Sequence, residues 1–282
     1  GILLLVILTS AGWRNALVAS DGDSCMHWRV GEWMLQHRQL LDHDVFSHTR
    51  FGAPVISKEW LSELIFAAAG RAAGLTGLAL VAALVIATTF ALLLRQLLRA
   101  GHDLLVSIAI TLLAVWAASS HWLARPHVFS FLLLVLWHDA LRRGRWLILP
   151  VLMLFWVNLH GGFLVGLLVL GAYWIGAALE RNWTRLRILT LTGALCGLAS
   201  LVNPNGYRLH LHNLQFLRSE FITGWLAEDA STDFHAAGAL GFLTLLAAVF
   251  LVLTLARPRL TAGDAVLLLS WLYFALHSNR NI

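Results

Sequence analysis

The chain has 282 residues, of which 59% are hydrophobic and only 12% charged, against roughly 25% charged in an average soluble domain. A soluble fold of this length would need more surface charge, so the composition excludes an ordinary soluble enzyme and points to an all-α polytopic membrane protein. The net charge of +5 does not indicate a nucleic-acid partner, because the arginines fall in short clusters between apolar runs, which is a topology signal.

A spanning helix needs roughly 20 apolar residues. Nine candidate spans follow along the chain: 2–19, 75–95, 104–120, 127–141, 146–158, 162–179, 187–202, 238–256 and 263–277. The segments 127–141 and 146–158 are short, so they must thin the bilayer, extend into flanking residues or form broken hairpins. The sequence opens at Gly1 inside an apolar run and stops at Ile282 just after a loop motif, so a single transmembrane domain truncated at both ends is expected. Cys25 and Cys196 fall in different segments and make no disulfide framework or CxxC site.

The first loop, 20–74, begins with Asp21-Gly22-Asp23 directly after the first span. Residues 25–37 read as an amphipathic helix, with Met26, Val30, Trp33 and Met34 on one stripe and Arg29, Glu32 and Gln36 on the other. Such a helix is expected to lie flat in the membrane interface. The stretch 42–54 is turn-rich and expected to be irregular. Residues 58–71 look like a second short helix leading into the next span.

Arginines set the orientation. The clusters Arg95/Arg99, Arg142/Arg143/Arg145, Arg181/Arg185/Arg187 and Arg257/Arg259 fall in every second loop, with ten arginines against four acids, and belong inside. The first span then runs outward. The outer side receives the loop 20–74, the tip 119–127, the tip Asn158-Leu159-His160-Gly161-Gly162, the second long loop 203–237 and the terminal stretch 277–281, with eleven of the thirteen histidines. This gathering of polar residues on one side places function at the outer face.

Within these tips, Asp21 and Asp23 could act as a base or together hold a divalent cation such as Mg2+ or Mn2+, since paired carboxylates suit hard ions. The structural alternative is that Asp23 or Ser24 caps the 25–37 helix. Arg125 and Arg280 lie at outer ends of spans beside His127 and Asn281, where a guanidinium can grip phosphate or simply snorkel to the interface. Asn158 and His160 sit at a hairpin tip, where polar groups face a cavity or satisfy loose helix ends. No HExxH or comparable histidine spacing appears, and His210 and His212 do not share a helix face.

The first loop reads D-x-D at Asp21/Asp23, then H-x-R-x-G-E-W at His27/Arg29/Gly31/Glu32/Trp33, then E-W-L at Glu59/Trp60/Leu61. This pattern, with the outward first span, resembles the GT-C superfamily of integral-membrane glycosyltransferases, including bacterial protein O-mannosyltransferases and aminoarabinose transferases. The likeness covers most of the chain in architecture, but only the first loop is motif-specific. The resemblance implies a GT-C-like helical bundle in a bacterial inner membrane, moving a sugar from a polyprenyl-phosphate donor to an acceptor at the outer face. It implies Asp21 and Asp23 as catalytic and His27, Arg29 and Glu59 of the first-loop motifs as substrate-binding; Arg125, His127, Asn158, His160 and Arg280 join the substrate-binding set from their positions at the outer tips. Many members carry a further acid in the second outer loop, whereas 119–127 holds His121, Arg125 and His127. A transporter or flippase, or a non-catalytic assembly subunit, would share the span pattern. Transporters usually show internal repeats and midplane charges, and neither is evident here.

Overall fold

The computed structural model describes residues 22–219, 231, 233–235 and 239–278. The expected first span 2–19, Asp21 and Arg280 lie outside the described residues. Among the described residues the fold is all-α. Its ten α-helices are α1 (Gly22–His37), α2 (Trp60–Arg99), α3 (Leu104–Ala118), α4 (His127–Arg142), α5 (Ile148–Leu159), α6 (Phe163–Leu179), α7 (Trp183–Ser200), α8 (Tyr207–Arg218), α9 (Leu240–Leu255) and α10 (Ala262–His277).

Two helical stretches among these residues, Trp60–Arg99 and Leu104–His121, are long and apolar enough to cross a membrane. Four shorter apolar helices are Ile148–Leu159, Phe163–Leu179, Leu240–Leu255 and Ala262–His277. At 1.5 Å per residue the 12-residue α5 is about 18 Å long, well short of a hydrocarbon core of roughly 30 Å.

The chain forms two compact units. The first comprises Gly1–Leu92, Trp122–Gly166 and Leu195–Asn213; the second comprises Leu93–His121, Leu167–Ala194 and Leu214–Ile282.

In the first unit, α1 begins at Gly22, earlier than the expected 25, so Asp23 lies in its first turn rather than before the helix. The expected apolar stripe also needs correction. Met26 is 50% exposed, and the buried residues are Ser24, His27, Val30, Gly31 and Met34. This face carries polar groups because it packs on the start of α2, where Gly31 meets the Glu63 carbonyl oxygen and the Ala67 side chain. Arg38, with φ +53°, ends the helix in the left-handed region. The irregular stretch that follows is ordered. His43 and Pro54 form an isolated antiparallel bridge, and Asp44 accepts from the backbone N–H groups of Phe46 and Ser47 at 2.9 and 2.8 Å. Val30, Met34 and Leu41 form a small core here, with Trp33, Val45, Val55 and Trp60 against it.

The helix α2 is broken at Ala73 (φ −147°, ψ 20°) and Gly74 (φ 58°, ψ −148°). The backbone at Gly74 suits only glycine without strain. The first arm is the short helix expected over 58–71, and the second covers the residues of the expected span 75–95. Leu78, Ala79, Ala82, Ala83 and Ile86 of the second arm are fully buried, and the small side chains of Ala79, Ala82 and Ala83 allow close helix approach. The helices α4 and α5 pack together through Trp137 and Trp156, whose rings meet edge to face at 5.9 Å.

The second unit is built on helix caps and small-residue contacts. Asp103 caps α3, accepting from Leu105 and Val106 N–H groups at 2.8 and 3.2 Å. Gly241 of α9 lies against Ala117 of α3, and Gly176 of α6 against Gly263 of α10. Tyr173 donates its hydroxyl to Asp264 at 2.9 Å. The expected second long outer loop, 203–237, contains the helix α8.

Candidate functional site

The site is assembled within the first unit. Glu59 immediately precedes α2 and Glu63 follows one turn later, with the Glu63 N–H donating to the Glu59 carbonyl at 3.0 Å. Residues four apart share a helix face, so both carboxylates lie on the stripe that continues through Phe66, Ala67 and Gly70, all buried. That stripe faces α1 and receives His27.

His27 stands between the two acids. Its Nδ1 is 3.1 Å from Glu63 Oε1 and its Nε2 is 3.8 Å from Glu59 Oε2. The three side chains are each about nine-tenths buried, at 9% exposure for His27 and Glu63 and 10% for Glu59. Glu63 lies before the Ala73–Gly74 break and outside the expected span 75–95. Burial pushes its carboxyl above the ordinary glutamate range, opposed by the His27 hydrogen bond and charge and reinforced by the Glu59 charge. Its Oε2 is buried with no hydrogen-bond partner among the described residues.

His160 approaches Glu59 from the other side. It caps the C-terminus of α5 in extended backbone, φ −162°, with Nε2 at 3.5 Å from Glu59 Oε1. The Gly162 N–H donates to its Nδ1 at 3.0 Å, and Ser130 Oγ lies 2.8 Å from the same nitrogen. Trp156 Nε1, which can only donate, bonds Ser130 Oγ at 2.8 Å. Because a backbone N–H can only donate, Nδ1 is the acceptor nitrogen and the ring proton sits on Nε2, toward Glu59. The imidazole of His127 stands 6.4 Å from that of His160.

Asp23 and Arg125 meet although 119–127 and the first loop are far apart in sequence. The Arg125 Nη1 is 3.2 Å from Asp23 Oδ2, with the aspartate 53% exposed and the arginine 19%. Asn158 is buried near the end of α5. Its amide accepts from the Trp60 indole at 2.8 Å and donates to the Leu154 and Val202 carbonyls at 2.8 and 2.9 Å, tying three segments together. Ser62 adds a second tie, bonding the Glu59 and Leu159 carbonyls at 2.8 and 2.7 Å.

The expected residues therefore divide. His27, Glu59 and His160 form one contiguous cluster, with His127 beside His160. Asp23 pairs with Arg125. Asn158 holds the α5 end against α2, and Arg29 is exposed on α1. Among the described residues, the group able to hold a metal ion is His27, Glu59 and Glu63; Asp23 is not in it and faces a guanidinium instead. Sequence reasoning missed Glu63 and Ser130. For Glu63 a signal existed: it and Glu59 fall on the apolar stripe of the first α2 arm, where an acid needs a partner. Ser130 carried none, since a serine near a helix start is ordinary. A cavity of about 360 Å³ in the same unit is lined by Gln39, Leu41, Asp42, Ser57 and Asn205, among others, but by none of the candidate residues.

Comparison with known protein families, with curated proteins and with solved structures finds no match to this chain.

Proposed function

We propose that this chain is a multi-pass membrane glycosyltransferase of GT-C type, acting at the outer face of a bacterial inner membrane. It takes a sugar from a polyprenyl-phosphate donor and transfers it to an acceptor hydroxyl or amine. The nine spans, with the first running outward, carry the arginine-rich loops inside and the polar tips outside. The reading is carried by one observation above the rest, the contact of Asp23 with Arg125 at 3.2 Å. It joins an acid just after the first span to an arginine at the outer end of another.

In the proposed reaction the acceptor lone pair attacks the anomeric carbon. The bond from that carbon to the phosphate oxygen breaks, and its electron pair leaves on the lipid phosphate. The acceptor proton passes to a carboxylate of the Asp21–Asp23 pair. Arg125 stabilises the charge that develops on the departing phosphate, the role also proposed for Arg280. Asp23 is half-exposed, as a base that must meet an incoming acceptor needs to be. His127 supplies a hydrogen bond to the sugar, and His160, 6.4 Å away ring to ring, holds Glu59 in place beside it.

Purified protein in lipid, given a radiolabelled polyprenyl-phosphate sugar and outer-membrane or cell-wall acceptor fractions, should release polyprenyl phosphate in step with labelled product. Arg125→Ala should slow this by roughly 100-fold or more, in line with removal of an electrostatic group at a developing anion. Donor movement between leaflets without bond cleavage would replace the transferase reading with the flippase one.

A further inference from the structure

We propose that His27, Glu59 and Glu63 form a binding site for a first-row transition-metal dication of the Zn2+ or Mn2+ class. Each of the three side chains offers a ligand atom, and these atoms lie within 4.8 Å of one another. Tetrahedral ligands at about 2.0–2.2 Å from a metal stand roughly 3.3–3.6 Å apart. The 3.8 Å from His27 Nε2 to Glu59 Oε2 is close to that spacing. One imidazole gives an ion one nitrogen, so the ion takes Nε2 with Glu59, and the Glu63 carboxylate, now 3.1 Å from Nδ1, turns from that nitrogen to complete the set.

A second observation points the same way. Glu63 is nine-tenths buried, yet its Oε2 has no hydrogen-bond partner among the described residues. A buried carboxylate oxygen left without a donor is costly, and a cation between the acids and the imidazole supplies what it lacks.

His160 is a positioning residue rather than a ligand. Its Nδ1 accepts from Gly162, so its Nε2 carries the proton and donates toward Glu59 Oε1. That contact turns the other oxygen, Oε2, toward His27, as outer partners of metal ligands commonly do. One imidazole with two carboxylates suits Zn2+ or Mn2+ better than Mg2+ or Ca2+, which prefer oxygen alone. Three protein ligands leave positions open to water or an anionic oxygen. The dication thereby sits on residues other than Asp21 and Asp23, the pair that the first-loop motif suggests. The proposal is independent of sugar transfer, because binding is measured without donor or acceptor.

The test uses the full chain purified in detergent, stripped with chelator, then equilibrated with Zn2+ or Mn2+ and freed of excess. Wild type should retain about one ion per chain, and added metal should raise its melting temperature. Outer-shell substitutions already weaken metal sites roughly 10–100-fold, so His27→Gln and Glu63→Gln should weaken binding at least that much. Asp23→Asn should leave binding unchanged. Pulsed EPR of the Mn2+ form should show one imidazole nitrogen coupled to the metal. This readout on wild type decides the matter even if a variant fails to fold. Wild type without bound metal, equal retention in Glu63→Gln, loss in Asp23→Asn alone, or Mn2+ without nitrogen coupling would each overturn the assignment.

Discussion

Arg71 grips Glu32 with two edges of its guanidinium, Nε to Oε2 at 2.9 Å and Nη2 to Oε1 at 3.0 Å. The hydrogen bond from Arg71 holds the Glu32 carboxyl below its ordinary range, against the opposing effect of burial. A lowered folded value means that the pair stabilises above the unfolded glutamate value, about 4.3, and that this contribution fades as pH falls through the folded value. Arg71→Met should therefore lower the melting temperature slightly at pH 7, and the gap to wild type should close as pH falls through the lowered Glu32 value. A gap that persists in acid would mean that Arg71 acts through packing instead. Ser130 offers a larger effect. It takes the Trp156 indole N–H and meets His160 Nδ1, so Ser130→Ala strands a buried donor and should destabilise by about 1–3 kcal/mol in chemical denaturation. The residues of this network were only partly legible in the sequence. His27, Glu59 and His160 stood out as polar groups in apolar or motif contexts. Glu63 could have been found as an acid on the apolar stripe of the first α2 arm, whereas Ser130 becomes meaningful only when α4 and α5 bring it to Trp156 and His160.

At the scale of elements, the docking of α1 on α2 depends on Gly31. A Cβ there would run into the Glu63 carbonyl and would lie 2.9 Å from the Ala67 methyl. Gly31→Ala should therefore destabilise by about 1–3 kcal/mol as overpacking does, outweighing the gain of nearly 1 kcal/mol that alanine brings to a helix interior. Gly171 in α6 has open space at its Cβ position, so Gly171→Ala is the matched control and should be neutral or slightly stabilising. Equal effects at both positions would remove the close approach as the cause. The helical character of 25–37 and 58–71 was readable from periodicity. The buried face of α1 was not, because it is chosen by a polar partner and Ser24 and His27 count against it on any hydrophobicity scale. Low overall hydrophobicity hid α8 instead: Arg208, His210, His212, Asn213 and Gln215 keep it out of a search for apolar runs, although its period is helical.

For the whole molecule, the arginine clusters predict that 142–145 and 181–187 lie inside while 20–74 and 203–237 lie outside. With Cys25 and Cys196 replaced, a single cysteine at position 50 should react with an impermeant maleimide in intact cells, and one at position 144 should not. Reaction at 144 would reverse the orientation and move the site to the inner face. The all-helical class followed from long apolar runs. The division into two compact units did not, since nothing in the composition changes at their boundaries. The central claim is that the Asp23–Arg125 pair serves sugar transfer, and the most direct test is transfer by purified Asp23→Asn protein beside wild type, with membrane yield measured on both. Asparagine keeps the shape and removes the charge, so the account predicts a fall of roughly 100-fold or more in transfer at normal yield. Unchanged transfer in Asp23→Asn, or no donor-dependent transfer by wild type, would contradict it.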